Sequence, residues 1–550
     1  MESKKALWMM YLSLVILKVV FAFFVSSPTI FGDEYLYAKA AQSIAQEGSV
    51  EVHGMYVASY PPLYSLVLSP AYLFTNMQTI YLVMKIINAL ISSLIIIPAY
   101  LLAKEFFKEK EALMGALLVG LMPFTMSTSS YLMAENLFHV LFLLSVYFIF
   151  KSITTEGYKY SIFAGISIAA TTLTKFSGLI LLAITGLMAL WFIIKNHIPH
   201  LKQTITAGII ASIILASWLL ISTGAQITNI MGIIGRTVAT TAPSLSISEM
   251  IVTFLAWIAI YALYLVLGTG ILPTLFIRSP ENKKEKILFL LTIGIIGLLL
   301  LILAKRSLAL SIKETTLFSH FTGRVIGRYI DSVLPLLLLL GWLGISHHSK
   351  SIKKNAWLVT IITLAGFLIW YFPLFPYNNA SLTLFGVLKT LITRSITDIS
   401  LPIIAALTAL LIAAIWIIHG IRSKITSSTA YGFLLVFFIL SSIASIGATV
   451  YNANTWSTTE QLTLSKELSR QISPDKTILI DEKYCGTPLT KEGVEYLCTA
   501  NKQISYVGFW LMNNILVGNQ HTPADYIITR DVLDKQIITK TPNGIQVYQI

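Results

Sequence analysis

Long apolar runs alternate with short polar segments over the first 450 residues. A helix rising about 1.5 Å per residue needs about 20 apolar residues to cross about 30 Å of hydrocarbon. About thirteen runs are candidates for such spans, 160–173 being the shortest: 7–26, 81–103, 112–128, 133–150, 160–173, 176–194, 205–222, 251–277, 287–304, 329–346, 356–372, 399–418 and 430–449. The pattern changes in the last hundred residues. Short β-branched stretches appear there, Thr477-Ile478-Leu479-Ile480-Asp481, Tyr526-Ile527-Ile528-Thr529 and Ile545-Gln546-Val547-Tyr548, the last preceded by the turn signal Pro542-Asn543-Gly544. The expected fold class is an all-α polytopic membrane protein, residues 1–450, carrying a small α/β domain, residues 451–550.

Composition agrees with a membrane protein: 55% of residues are hydrophobic, 12% are charged and mean hydropathy is +0.75. A soluble chain would carry about twice that charged fraction. The formal net charge of +13 would point to nucleic acid if it formed one patch, but its distribution follows the predicted topology. The N-terminus and loops 104–111, 151–159, 195–202, 278–286, 347–354 and 419–428 hold 18 basic and 7 acidic residues. The alternate set of loops holds 10 and 9, and the tail 9 and 10. Cytoplasmic loops are enriched in Lys and Arg, so the N-terminus is expected in the cytoplasm of a cell-membrane protein. An odd number of spans then places the C-terminal domain outside, and no nucleic-acid partner is implied. The first run follows Lys4 and Lys5 without a small-residue cleavage site and is expected to remain as a membrane helix. Cys485 and Cys498 both fall in the tail, where a disulfide is chemically permitted but is not fixed by spacing.

The first external loop, 27–80, is far longer than an ordinary connection. It opens with Phe31-Gly32-Asp33-Glu34-Tyr35. Apolar Leu36, Ala40, Ala41, Ile44 and Ala45 follow at helical spacing, predicting an amphipathic helix at the membrane surface over 35–47. Asp33 stands where an N-cap would. The segment Ser59-Tyr60-Pro61-Pro62-Leu63-Tyr64-Ser65 cannot continue a helix and makes a rigid turn. Glu135, in Tyr131-Leu132-Met133-Ala134-Glu135-Asn136, lies at the mouth of a predicted span, where a carboxylate is costly to bury unless paired. The plain alternative is an exposed charge capping that helix.

Taken in order, the Asp-Glu pair after the first span, the surface helix, the Tyr-Pro-Pro-Leu turn and Gly327-Arg328-Tyr329-Ile330-Asp331 before a late span resemble the GT-C glycosyltransferases. Within them the likeness is to the protein O-mannosyltransferase and aminoarabinose-transferase group. It implies inverting transfer of a sugar from a polyprenyl-phosphate-linked donor to an acceptor hydroxyl at the extracytoplasmic face. The acceptor could be lipid, glycan or protein. By that resemblance Asp33 is the general base, Glu34 orients the acceptor or Asp33, and Glu135 is a second catalytic carboxylate. A leaving phosphate needs positive charge near the membrane surface; the candidates are Lys85, Lys175, Arg324 and Arg328, with snorkelling to lipid headgroups as the bland reading. Tyr35, His53, Tyr60, Tyr64 and Tyr329 are candidate substrate contacts, although a lone histidine is more often structural. The metal-dependent members of the superfamily use an Asp-x-Asp pattern that the first loop lacks, so neither a divalent metal nor another cofactor is expected. Asn379-Ala380-Ser381 matches a glycosylation sequon. The alternative function is a multi-pass transporter or flippase of a lipid-linked or small-molecule substrate, which would favour inverted repeats and midplane polar groups. A non-catalytic carrier-binding relative also fits.

Overall fold

The computed structural model describes residues 2–29, 31–52, 55–56, 60–223, 246–309, 325–346, 352–371, 376–394, 400–481 and 507–550. Among the described residues, nine helices are long and apolar enough to cross a membrane: Glu2–Phe24, Met77–Ala103, Glu135–Thr154, Phe176–Ile194, Ile198–Ser222, Ile247–Gly268, Lys283–Leu308, Leu401–Gly420 and Ser427–Ser457. Each falls on an expected span. The other four expected spans are shorter or interrupted helices, for local reasons. Span 112–128 divides into Glu109–Gly120 and Pro123–Thr128, because proline offers no N–H to continue the first helix. Thr125 Oγ1 donates to the carbonyls of Gly120 (2.7 Å) and Met122 (2.8 Å) left at that break. Span 160–173 is the helix Lys159–Thr174, span 329–346 ends in Leu334–Ser346, and span 356–372 passes from Ile352–Ala365 into a 3-10 turn at Phe367–Trp370.

The chain forms two compact units. The first contains residues 1–16, 91–128 and 135–448. Its helix Leu334–Ser346 is buried along almost its whole length. Close approach explains how: a Cβ on Gly341 would lie 2.3 Å from the Pro273 carbonyl oxygen, and one on Gly344 would lie 1.6 Å from that of Phe276. Glycine at both positions lets backbone pack on backbone, as small residues do between membrane helices. At one end of this unit, Glu105 pairs with Lys151 and Lys284 at 3.0 Å each, and Arg278 pairs with Glu285 at 3.1 Å. Gln203 Nε2 donates to the carbonyls of Thr155 and Gly157, both at 3.1 Å. The Lys- and Arg-rich loops 104–111, 151–159, 195–202 and 278–286 are thereby gathered at a common end, as alternating spans require.

The second unit contains residues 17–90, 129–134 and 449–550. Its tail sheet runs in the order β4-β3-β5-β7-β6, with β3 Thr477–Asp481, β4 Asn514–Gly518, β5 Tyr526–Thr529, β6 Ile537–Lys540 and β7 Gln546–Gln549; β1 Glu51–Val52 and β2 Met55–Tyr56 form a separate hairpin in the first loop. β3 is parallel to β4 and β5, whereas β7 is antiparallel to β5 and β6. Leu479, Ile527 and Tyr548 form the sheet's core cluster. The three expected strands are present, the last shifted by one residue; Gly544, at φ +81°, makes the turn before it.

The first-loop helix spans Phe31–Glu47. The amphipathic pattern predicts one face in the headgroups, yet residues 34–43 are all buried. The polar positions are satisfied by the tail: Lys39 Nζ donates to Gln42 Oε1 (3.0 Å) and to the Leu511 carbonyl, and Gln42 Nε2 donates to the Met512 carbonyl (2.6 Å). Buried polar groups need such partners. Burial pushes the Lys39 amine down to about 7.

Candidate functional site

Because the helix begins at Phe31, Asp33 stands in its first turn rather than at the N-cap expected from the sequence. Its half-buried carboxylate accepts the Tyr60 hydroxyl at 2.6 Å, a short charge-assisted bond. Tyr60 is held in turn by Tyr37, whose ring meets it edge-on at 5.1 Å and meets Tyr64 at 4.9 Å. The double proline after Tyr60 fixes where that phenol enters, and the helix Leu63–Leu68 follows directly.

The neighbouring Glu34 has a different environment. It is wholly buried, Oε1 accepting the Thr29 N–H at 2.9 Å and Oε2 the Leu132 N–H at 3.0 Å. It joins the first loop to the connection 129–134. The resemblance gives Glu34 an orienting role toward the acceptor or Asp33; in the structure both its oxygens hold backbone. Tyr64 is equally committed. Its hydroxyl donates to Asn88 Oδ1 (2.9 Å), Asn88 Nδ2 donates to the Tyr131 carbonyl (2.8 Å), and the Tyr131 hydroxyl meets Thr449 Oγ1 (2.6 Å). Lys85 lies 4.5 Å over the Tyr81 ring, and its Nζ donates to the carbonyls of Ala22 and Val25 at 2.6 Å each. It satisfies the orphan carbonyls at the end of the first membrane helix. Tyr35 is buried against Gly508, where a Cβ would lie 2.7 Å from the phenol oxygen, and burial pushes that phenol's pKa up. Of the candidates in this unit, Asp33 and Tyr60 keep partial exposure.

In the other unit, residues far apart in sequence converge. Glu135 is the first residue of helix Glu135–Thr154 and is 2% exposed; the exposed-cap reading therefore does not hold. Its Oε1 lies 2.6 Å from Lys175 Nζ and 3.7 Å from Arg328 Nε. Lys175 ends helix Lys159–Thr174 in an extended conformation, and the turn after it needs Gly178, where a Cβ would meet the Thr172 nitrogen at 2.7 Å. Tyr329 is the common contact. Lys175 Nζ is 4.1 Å from its ring centre, the Arg306 guanidinium 4.7 Å and that of Arg328 5.4 Å, all within cation–π range.

Among the described residues, three cations thus surround one ring with the Glu135 carboxylate beside two of them, an arrangement suited to an anion. Of this cluster, Glu135, Lys175, Arg328 and Tyr329 are legible in the sequence, and Arg306 is not. The sequence signal for Arg306 is a basic residue in a loop set that the positive-inside bias should leave poor in them. Arg324, His53, Cys485 and Cys498 lie outside the described residues. Asn379 is completely buried, so the sequon is closed to glycosylation in the folded chain.

Residues 60–221 match the family model described as Dolichyl-phosphate-mannose-protein mannosyltransferase. No curated protein sequence matches the chain. Among solved structures, ArnT from Cupriavidus metallidurans bound to undecaprenyl phosphate superposes with a TM-score of 0.58 at 11% identity, over 98% of this chain and 97% of that one. The apo form of the same protein gives 0.56 at 12% identity, over 98% and 96%. The chain shares the fold of these ArnT structures, and its residues 60–221 resemble the family of that model.

Proposed function

We propose that the protein transfers a sugar, with inversion, from a polyprenyl-phosphate-linked donor to an acceptor hydroxyl at the extracytoplasmic face of the cell membrane. The observation that carries this reading is the cation cluster around Tyr329, in which Lys175 and Arg328, two of the positions that the resemblance gives to donor phosphate, are joined by Arg306. The solved ArnT with undecaprenyl phosphate bound supports a lipid phosphate as the donor's leaving group. The lysine-rich loops gathered at one end of the membrane unit support a cytoplasmic N-terminus.

In the reaction the acceptor oxygen forms a bond to the anomeric carbon while its proton passes to the Asp33 carboxylate. The bond from that carbon to the phosphate oxygen breaks, and its electron pair leaves with polyprenyl phosphate. The phosphodiester becomes a monoester and gains negative charge, which Lys175, Arg306 and Arg328 stabilise. The hydroxyl of Tyr60, donating to Asp33 at 2.6 Å, holds the carboxylate in place for that transfer. We further propose that neither a divalent metal nor another cofactor takes part, on the absence of an Asp-x-Asp pattern in the first loop; product release unaltered by EDTA is the check.

The test is release of free polyprenyl phosphate from a panel of polyprenyl-phosphate sugars, with membrane extract as the acceptor source. Release by the wild type and its loss in Asp33→Asn supports the transferase and identifies the donor sugar. Donor translocation without release would instead establish the transporter or flippase reading.

A further inference from the structure

The turn Gly327–Tyr329 presents Arg328 and Tyr329 to Glu135 and Lys175, and it is held from several sides by residues to which the preceding reading gives no role. Helix Ile247–Gly268 supplies two tyrosines one turn apart. Tyr261 Oη accepts the Ile326 N–H at 3.4 Å and contacts Ser307 Oγ at 3.1 Å. The Tyr264 ring packs directly on Gly327: a Cβ there would lie 2.0 Å from the ring carbon bearing the hydroxyl. On the opposite flank, Asn379 Oδ1 accepts the Gly327 N–H at 3.0 Å. Both flanks meet at Asp331, which is 1% exposed. Its Oδ1 accepts the Tyr264 hydroxyl at 2.9 Å and the Ser381 hydroxyl at 2.8 Å.

A buried carboxylate on neutral donors is an expensive choice for packing alone, since apolar residues of the same volume fill such a space without desolvating a charge. What it supplies is direction. One oxygen fixes the Tyr264 ring against Gly327 and the segment 379–381 against the same turn, so the backbone of Arg328 has a single place to be. Resting on the reading of the cation cluster as the donor-phosphate site, we propose that Asp331 is a positioning residue for Arg328, acting through Tyr264 and Ser381. Gly327 completes the same device, because any larger residue displaces the tyrosine ring.

The experiment is a double-mutant cycle on the donor KM. Asp331→Ala raises the donor KM about tenfold, a typical coupling for residues sharing one network, whereas Asp331→Asn, which retains the Oδ1 acceptor, stays near the wild type. Tyr264→Phe keeps the ring on Gly327 and removes only the hydroxyl; it gives a smaller rise and carries the test if Asp331→Ala does not fold. In an Arg328→Ala background none of these changes raises the donor KM further. If Asp331→Ala or Tyr264→Phe raises it by the same factor with or without Arg328, the two act independently and the positioning role is overturned. If Arg328→Ala alone leaves the donor KM unchanged, the donor-binding reading of the cluster fails, and the positioning role fails with it.

Discussion

The two units use their carboxylates in opposite ways. In the unit containing the first loop, Asp33 accepts a phenol hydroxyl and Glu34 accepts two backbone N–H groups. In the membrane unit, Glu135 is held by cations, at 2.6 Å from Lys175 and 3.7 Å from Arg328. A carboxylate that accepts a phenol hydroxyl is oriented by it. One paired with ammonium and guanidinium serves instead to hold those groups at fixed positions and to temper their charge. Two acidic sites that look alike in sequence therefore take different chemistry from their partners.

The contrast can be broken at Asp33 with the largest effect. Asp33→Asn is expected to lower turnover about 10²-fold or more, the scale for losing a general base, with donor affinity and the thermal unfolding midpoint in detergent near the wild type. Equal loss of donor affinity would assign Asp33 to binding instead. Removing the Glu135 side chain acts next. Glu135→Ala takes the carboxylate away from Lys175 and is expected to cost about 3 kcal/mol, the usual result of breaking a buried pair from one side. The double variant Glu135→Ala, Lys175→Met should unfold at a higher temperature than the single one, because it removes the ammonium together with its carboxylate partner.

Glu34→Gln tests the neutral-donor side. The amide can accept only one of the two backbone N–H groups, and an unsatisfied buried donor costs about 1–3 kcal/mol. Its main readout is thus the unfolding midpoint, with turnover falling much less than in Asp33→Asn; a loss of turnover equal to that variant would restore a catalytic role to Glu34. The smallest effect concerns Lys39. Its folded amine titrates at about 7 against 10.5 for an exposed lysine, so between those values the unfolded chain holds a proton that the folded chain lacks. Stability contributed by this group is then fully present above about pH 10.5 and is lost as pH falls through about 7. Lys39→Met should flatten the rise of the unfolding midpoint across that window.

The sequence alone settles much of this protein. Apolar runs of membrane length place the helices, because each span must satisfy its own backbone in lipid, and the β-branched stretches of the tail place three of its strands. Interruptions inside the spans were less visible, since they depend on how Pro123 and its freed carbonyls are accommodated locally. The sequence also singles out Asp33, Glu135, Lys175, Arg328 and Tyr329, as charged or aromatic groups at the ends of apolar runs. It does not distinguish Asp33 from Glu34, which are adjacent and chemically equivalent until one turns toward Tyr60 and the other toward the backbone of Thr29 and Leu132. Nor does it separate Lys85 from Lys175, because a lysine near a span end reads alike whether it holds helix carbonyls or a glutamate. Arg306, Tyr264, Asp331 and Ser381 gain meaning only from the contacts that bring residues of different helices together. Periodicity is a property of neighbours in sequence, whereas the partner of a charge is chosen by packing between segments far apart in the chain, and only the tertiary structure decides it.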